Sequence, residues 1–368
     1  MGKKPVAVII GASFAGINAA TALKRLEPGF EVIVIDKDDE FTMLPALYET
    51  AARGDYNTEI TVPTSAIAKK HGFTFFHDEA TFIDRKKRVV STRNGESIRF
   101  DYLLVAVGSQ TNYYATEGVD KHGLKLKHRQ DAEKISERLE LDLLKKKPLS
   151  IVVCGGGTSG VQFTAELADW LEGKGDHEIT LCQMKPRLAP ELPEEFGKLA
   201  QAALEKKGVK IHFNTEVARI TKKGIETKAG EKHPADMVIW CGGNKPPELL
   251  AKTGLPLKDG YLAANEFLQS TGDERVFAAG DCASVKTSDG TPAYQTVWNA
   301  VSEGKLAGEN ISRHWRSQPL KPYSPSTVPI IFTIGRNYGV LHYKGFTLKG
   351  RTVAWLKRFI ERFYINTL

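Results

Sequence analysis

Two stretches of this chain repeat one pattern: an apolar run, a glycine-rich turn, a small-residue helix and a second apolar run. The first is "VAVIIGASFAGINAATALKRL" from Val6, followed by "EVIVID" at 31–36. The second is "LSIVVCGGGTSGVQFTAEL" from Leu149, followed by "HEITLC" at 177–182. A strand that breaks at glycine, restarts as a helix and returns as a strand is half of a doubly wound parallel sheet. Few folds accommodate that unit once. A chain of 368 residues has room for two such domains, so the spacing predicts an α/β protein with two Rossmann-like dinucleotide-binding domains and a small C-terminal region.

Composition narrows the function classes. Hydrophobic residues at 41% and charged residues at 26% describe an ordinary globular chain. A formal charge of +7 suits dinucleotides, an acidic membrane surface or nucleic acid. No zinc-finger or RNA-binding signature is present, so nucleic acid is not expected. The first strand starts within five residues of the N-terminus and no apolar stretch is long enough to span a bilayer, which predicts an intracellular protein. Cys154, Cys182, Cys241 and Cys282 are far apart and form no CxxC pair. Cys154 and Cys241 follow apolar runs, where buried, inert thiols are expected. The nine histidines show no ligand spacing, so no metal is expected.

The turns themselves carry the chemistry. Gly11-x-Ser13-x-x-Gly16 departs from GxGxxG only at its middle position. The glycines permit a tight turn and close helix packing, and the helix N-terminus meets a diphosphate. Asp36, at the end of the second strand, can accept both hydroxyls of a ribose. Gly155-x-Gly157-x-x-Gly160 is the full fingerprint, but Gln183 stands where a nicotinamide adenine dinucleotide site prefers an acid. Just beyond it, Lys185 and Arg187 either neutralise a 2′-phosphate or form a solvated pair. Both NADH and NADPH are therefore expected as ligands, with little preference for NADH.

Five ordered signals resemble the two-dinucleotide-binding-domain flavoproteins: the two turns, "LLVAVGS" with Gly108, "WCGGNKP" and "VFAAGDCA". Within that superfamily the chain resembles the type II NADH:quinone dehydrogenases and their apoptosis-inducing-factor-like relatives. The resemblance implies that Gly11, Ser13, Gly16 and Asp36 hold flavin adenine dinucleotide (FAD), that Asp281 holds its ribityl chain, and that Pro45 borders its ring. It implies an FAD domain at 1–112 and 261–322, an NAD(P)H domain at 113–260, and a C-terminal region at 323–368. It further implies that two electrons pass from NAD(P)H through the flavin to a quinone. "AYQTVWNA" partly matches the family's quinone-side pattern, with Gln295 at its first glutamine and Asn299 at its second; read as one helix, the two share a face at i,i+4. They contact a carbonyl acceptor or bond nearby backbone. Gln162 stands where the family usually has a glutamate, so a proton relay through it is lost or rerouted; Glu166 lies one turn on. A sulfide:quinone reductase, or a slow flavin-bearing signalling protein, are the alternative readings.

The tail places Val353, Trp355, Leu356, Phe359, Ile360 and Phe363 on one helical stripe, with Lys357, Arg358 and Arg362 largely elsewhere. Residues 342–368 hold six Lys or Arg against one Glu. Such a helix packs on its own protein or lies in an anionic membrane surface. The family resemblance favours the membrane, placing the protein in the cytoplasm on the inner face of the cell membrane and leaving room for a homodimer.

Overall fold

The computed structural model describes residues 4–54, 60–285, 295–325 and 328–368. The elements that position the site begin with β1 (Val6–Ile10), α1 (Phe14–Leu26), β2 (Glu31–Asp36), α2 (Leu47–Arg53), β3 (Thr74–His77) and β4 (Tyr102–Val105). Next come α3 (Arg129–Leu144), β5 (Leu149–Cys154), α4 (Thr158–Leu171), β6 (His177–Cys182), α5 (Glu194–Lys206), β7 (Lys210–His212) and β8 (Met237–Trp240). The chain ends with β9 (Asp273–Ala278), α6 (Val297–Trp315), β10 (Ile330–Thr333), β11 (Gly339–Tyr343), β12 (Phe346–Gly350) and α7 (Arg351–Thr367).

By packing, the chain divides into two units. One is Met1–Phe41, Thr61–Gln110 and Lys245–Ser326; the other is Thr42–Ile60, Thr111–Asn244 and Thr327–Leu368. The sequence reading drew its boundaries at 112, 260 and 322, and assigned 42–60 to the first domain.

In the first unit, β9, β4, β1, β2 and β3 lie side by side in that order, all parallel. Ala7, Val8 and Ile9 of β1 are fully buried, as a strand covered on both faces requires. Helix α6 presses closely on α1. A Cβ at Gly304 would lie 2.1 Å from the Ala15 carbonyl oxygen, so only glycine allows that approach.

The second unit repeats the order. The short strand Leu124–Lys125 is followed by β8, β5, β6 and β7, again all parallel. In each sheet the glycine turn leaves the first strand beside its neighbour β4 or β8, at the point where a doubly wound sheet reverses direction. Each unit also carries a three-stranded antiparallel meander, Ala80–Asp84 to Ser97–Arg99 and Val217–Thr221 to Lys232–Pro234. The sequence reading assigned no strands at 80–92 or 217–234 and read 97–109 as one strand, because short runs broken by charged turns carry little periodic signal.

Two local expectations are corrected. The long helix read from residue 293 begins at Val297, capped by the Thr296 hydroxyl, which accepts the Asn299 N–H at 3.2 Å. Gln295 therefore precedes the helix and shares no face with Asn299; residues 286–294, including Tyr294, lie outside the described residues. In α7 the apolar stripe is split. Val353, Ala354 and Lys357 face inward, while Trp355, Phe359 and Phe363 are exposed and stacked in a row with ring centroids 5.4 and 6.3 Å apart. Lys357, assigned to the polar side from its charge, is only 7% exposed because Glu361 on its own helix and Tyr48 accompany it. Among the described residues, no helix is long and apolar enough to cross a membrane.

Candidate functional site

At the first turn β1 ends and Gly11 adopts φ +109°, a conformation side-chain-bearing residues rarely enter. Its N–H continues the sheet by donating to Ile35 O at 2.8 Å. A Cβ at Gly11 would stand 2.2 Å from the Ala106 carbonyl oxygen, and one at Gly16 would stand 1.8 Å from Gly11 O. Both glycines are therefore obligatory for this packing. Ser13 caps α1 with no side-chain cap bond. Asp36 sits at the end of β2, where Oδ2 accepts the Ala12 N–H and Oδ1 accepts the Asp38 N–H at 3.0 Å. Burial pushes its carboxyl above the ordinary range, against the pull of those two donors. A carboxylate has about four acceptor positions, so capacity for two ribose hydroxyls remains.

Asp281 lies in the short turn Gly280–Cys282 after β9, and Ser109, next to Gly108, donates its hydroxyl to Asp281 Oδ2 at 3.1 Å. Gln295 Nε2 donates to the Asp281 carbonyl at 2.9 Å. Gln295, Asn299, Asp281 and Glu303 line one small open hollow. Glu303 is a residue that sequence reasoning missed. It is 3% exposed, and its Oε2 accepts the Gly280 N–H at 2.7 Å. Burial pushes its carboxyl up to about 8, with Asp281 adding to the rise. The available signal was a carboxylate on the small-residue side of α6.

The second turn repeats the backbone of the first. Gly155 has φ +112° and donates to Cys182 O at 2.8 Å, and a Cβ at Gly160 would lie 1.8 Å from Gly155 O. Its side-chain surroundings differ. Gln183 is buried, with Oε1 accepting the Gly156 N–H at 3.3 Å and Nε2 donating to Arg187 O at 3.1 Å. Arg187 turns back on its own loop, donating to the carbonyls of Ala189, Pro190 and Leu192. Lys185 is exposed. At Gly157 and Thr158 the loop delivers Glu191, another residue missed from sequence, whose Oε1 accepts the Thr158 N–H at 2.5 Å.

Within the second unit, Gln162 on α4 accepts the Thr333 hydroxyl at 3.1 Å, and Thr333 Oγ1 and the Tyr48 hydroxyl are 2.7 Å apart. Tyr48 is buried, which pushes its phenol up to about 12. Its other neighbour is Lys357, which pairs with Glu361 and donates to Pro45 O at 3.2 Å. Burial pulls the Lys357 ammonium down, but Tyr48 and Glu361 more than offset it and leave it above its usual value. Glu166 does not join this chain of groups. It is fully buried in ion pairs with Arg53 and with Arg358, the latter at 3.7 Å.

Two matched turns at two sheet switch points form an architecture for binding two dinucleotides. The family model described as pyridine nucleotide-disulphide oxidoreductase matches residues 6–304. The chain belongs to this family. It is an oxidoreductase of the two-dinucleotide-binding flavoprotein superfamily, as the sequence resemblance expected. A demethylphylloquinone reductase from Synechocystis is 28% identical to this oxidoreductase, covering 99% of this chain and 93% of its own. A type II NADH:quinone oxidoreductase from Staphylococcus aureus is 26% identical over 96% and 93%. In fold, the oxidoreductase is similar to NDH2 from Plasmodium falciparum solved with NADH, with a TM-score of 0.87, 18% identity and coverage of 100% and 95%. It is also similar to a sulfide:quinone oxidoreductase from Aquifex aeolicus, with a TM-score of 0.85, 20% identity and coverage of 98% and 90%.

Proposed function

We propose that this oxidoreductase is an FAD-dependent NAD(P)H:quinone reductase. The observation that carries the reading is the duplicated turn: one chain keeps two diphosphate cradles of the same backbone geometry, one for a resident dinucleotide and one for a dinucleotide substrate. The glycine contacts support this fit, since a Cβ at Gly11, Gly16, Gly155 or Gly160 would collide with backbone. We assign FAD to 1–112 with 261–322 and NAD(P)H to 113–260. Held there, FAD would supply hydride acceptance from a reduced nicotinamide and two-electron transfer to the acceptor.

The chain's own residues bind and orient. Gly11, Ser13 and Gly16 bring the α1 N-terminus to the FAD diphosphate, Asp36 accepts ribose hydroxyls, and Asp281, oriented by Ser109, accepts from the ribityl chain. Gly155, Gly157 and Gly160 do the same for the nicotinamide nucleotide. Gln162 orients Thr333 but cannot deliver or store a proton at neutral pH. The hydroxyls of Thr333 and Tyr48, 2.7 Å apart, are the neighbouring groups that carry a proton, and the Lys357 ammonium lies beside Tyr48.

The thiols support a quinone acceptor over a disulfide or sulfide. Burial pushes Cys182, Cys241 and Cys282 up to about 12 and Cys154 well above its usual range, which withdraws the reactive thiolate. The exposed Trp355, Phe359 and Phe363 row on a cationic helix suits an anionic membrane surface where a quinone dissolves, which would place the protein peripherally on the inner face of the cell membrane. Purified protein should be yellow. Anaerobic NADH or NADPH should bleach it, and a soluble quinone should restore the colour. A colourless protein that refuses added FAD overturns the proposal; a flavin that NADH reduces but quinone does not reoxidise overturns its acceptor side.

A further inference from the structure

We propose that Glu191 is an internal anion seated in the second turn's diphosphate cradle, and that an incoming nicotinamide dinucleotide must displace it. The proposal rests on the reading that this turn takes NAD(P)H. Thr158 is the first residue of α4, and its N–H donates to Glu191 Oε1 at 2.5 Å. A Cβ built at Gly157 would lie 3.3 Å from Oε1 and 3.8 Å from Oε2. The carboxylate thus lies against the middle glycine of the fingerprint, whose missing side chain is what admits a phosphate. A carboxylate and a diphosphate want the same thing there: backbone N–H donors and the positive end of the helix. They carry like charge and cannot share the position.

The contact is built into the loop. Arg187 staples the turn from inside by donating to Ala189 O at 3.1 Å, Pro190 O at 2.6 Å and Leu192 O at 2.9 Å. Ala189 N–H donates to Gly156 O at 2.8 Å, tying that turn to the glycine loop, and Leu192 N–H donates to Ala189 O at 2.9 Å. Ala189 holds φ +42°, a left-handed backbone that alanine rarely adopts. Gln183 bridges Gly156 and Arg187 from below. Arg187, expected as a 2′-phosphate ligand or a surface charge, is here the brace that presents Glu191.

Nucleotide binding is then an exchange. The affinity measured is lowered by whatever the Glu191 contact contributes, and the penalty falls on the diphosphate alone. Calorimetric titration with ADP-ribose, which cannot reduce the flavin, reads this directly on the flavin-loaded protein. Glu191→Ala should tighten ADP-ribose about tenfold. Glu191→Gln, which keeps shape and an acceptor, should tighten it about threefold and carries the test if the alanine variant folds poorly. Adenosine, lacking phosphate, should bind all three proteins alike. Unchanged or weaker ADP-ribose binding in a folded variant, or adenosine tightening equally, overturns the proposal while leaving the second turn a nucleotide site. Failure of the wild type and both variants to bind ADP-ribose overturns the parent reading, and this one with it.

Discussion

The two glycine turns are nearly the same object in backbone and different objects in charge. Gly11 and Gly155 share their positive φ and their hydrogen bond to the second strand, and a Cβ at Gly16 or Gly160 would stand equally close to the loop carbonyl, at 1.8 Å. Around the first turn, Asp36 takes a loop N–H, and Glu303 is buried on the Gly280 N–H. Around the second, a neutral amide, Gln183, takes the equivalent loop N–H, and the carboxylate is Glu191 at the helix start. Backbone geometry says that a diphosphate fits. On the proposed reading, the carboxylates set how firmly it is held and what it must displace. A resident cofactor and an exchanging substrate call for that difference.

The hardest way to break the comparison is to fill each cradle. Gly16→Val and Gly160→Val each drive a branched side chain into a carbonyl already 1.8 Å from the Cβ position, straining the turn by more than about 3 kcal/mol. The first should purify without visible flavin. The second should stay yellow yet resist bleaching by NADH at concentrations that saturate the wild type. If both variants lose colour, the turns are not functionally separate.

Glu303 tests the charge on the proposed flavin side. Its carboxyl titrates near 8 in the folded chain and near 4.5 when unfolded, so the native state holds the extra proton between those values. Stability is greatest below about 4.5 and falls as pH rises to about 8, by up to about 5 kcal/mol, then levels. Glu303→Gln should flatten that stretch of the denaturation-midpoint profile. An unchanged slope would remove Glu303 from the account.

Exchanging the loop acceptors sharpens the contrast further. Asp36→Asn should weaken FAD retention about tenfold, the scale of a lost charge-assisted bond, measured by dialysis against apoprotein. Gln183→Glu sets a carboxylate against Arg187 O, where the amide had donated, so the unfolding midpoint should drop and NADPH should bind about tenfold more weakly than NADH. Equal binding of both nucleotides would show that residue 183 does not read the ribose. The smallest effect belongs to Lys185→Ala: about a twofold loss for NADPH and none for NADH, because an exposed ammonium is screened by solvent. A tenfold loss would make Lys185 the 2′-phosphate ligand.

Much of the frame was legible in the sequence. The tail helix expected from the apolar stripe between Val353 and Phe363 is Arg351–Thr367. Parallel strands buried on both faces read as unbroken apolar runs, and a strand-breaking glycine marks its own turn. The long helix was misplaced at its start because its N-cap, Thr296, follows residues whose polarity does not distinguish loop from helix. The meander strands at 80–92 and 217–234 escaped for want of periodicity. Lys357 was misassigned because a sequence shows charge but not the Tyr48 and Glu361 that accompany it into the interior.

The linear order of residues determined that this chain builds two switch-point turns, since glycine at fixed spacing between apolar runs is a local backbone demand that no distant contact has to supply. Where the carboxylates sit was decided only by tertiary structure. Glu303 meets Gly280 from 23 residues away and Glu191 meets Thr158 from 33, and such pairings depend on how loops close over a finished sheet. Electrostatic contacts act through space, so spacing along the chain carries almost no record of them.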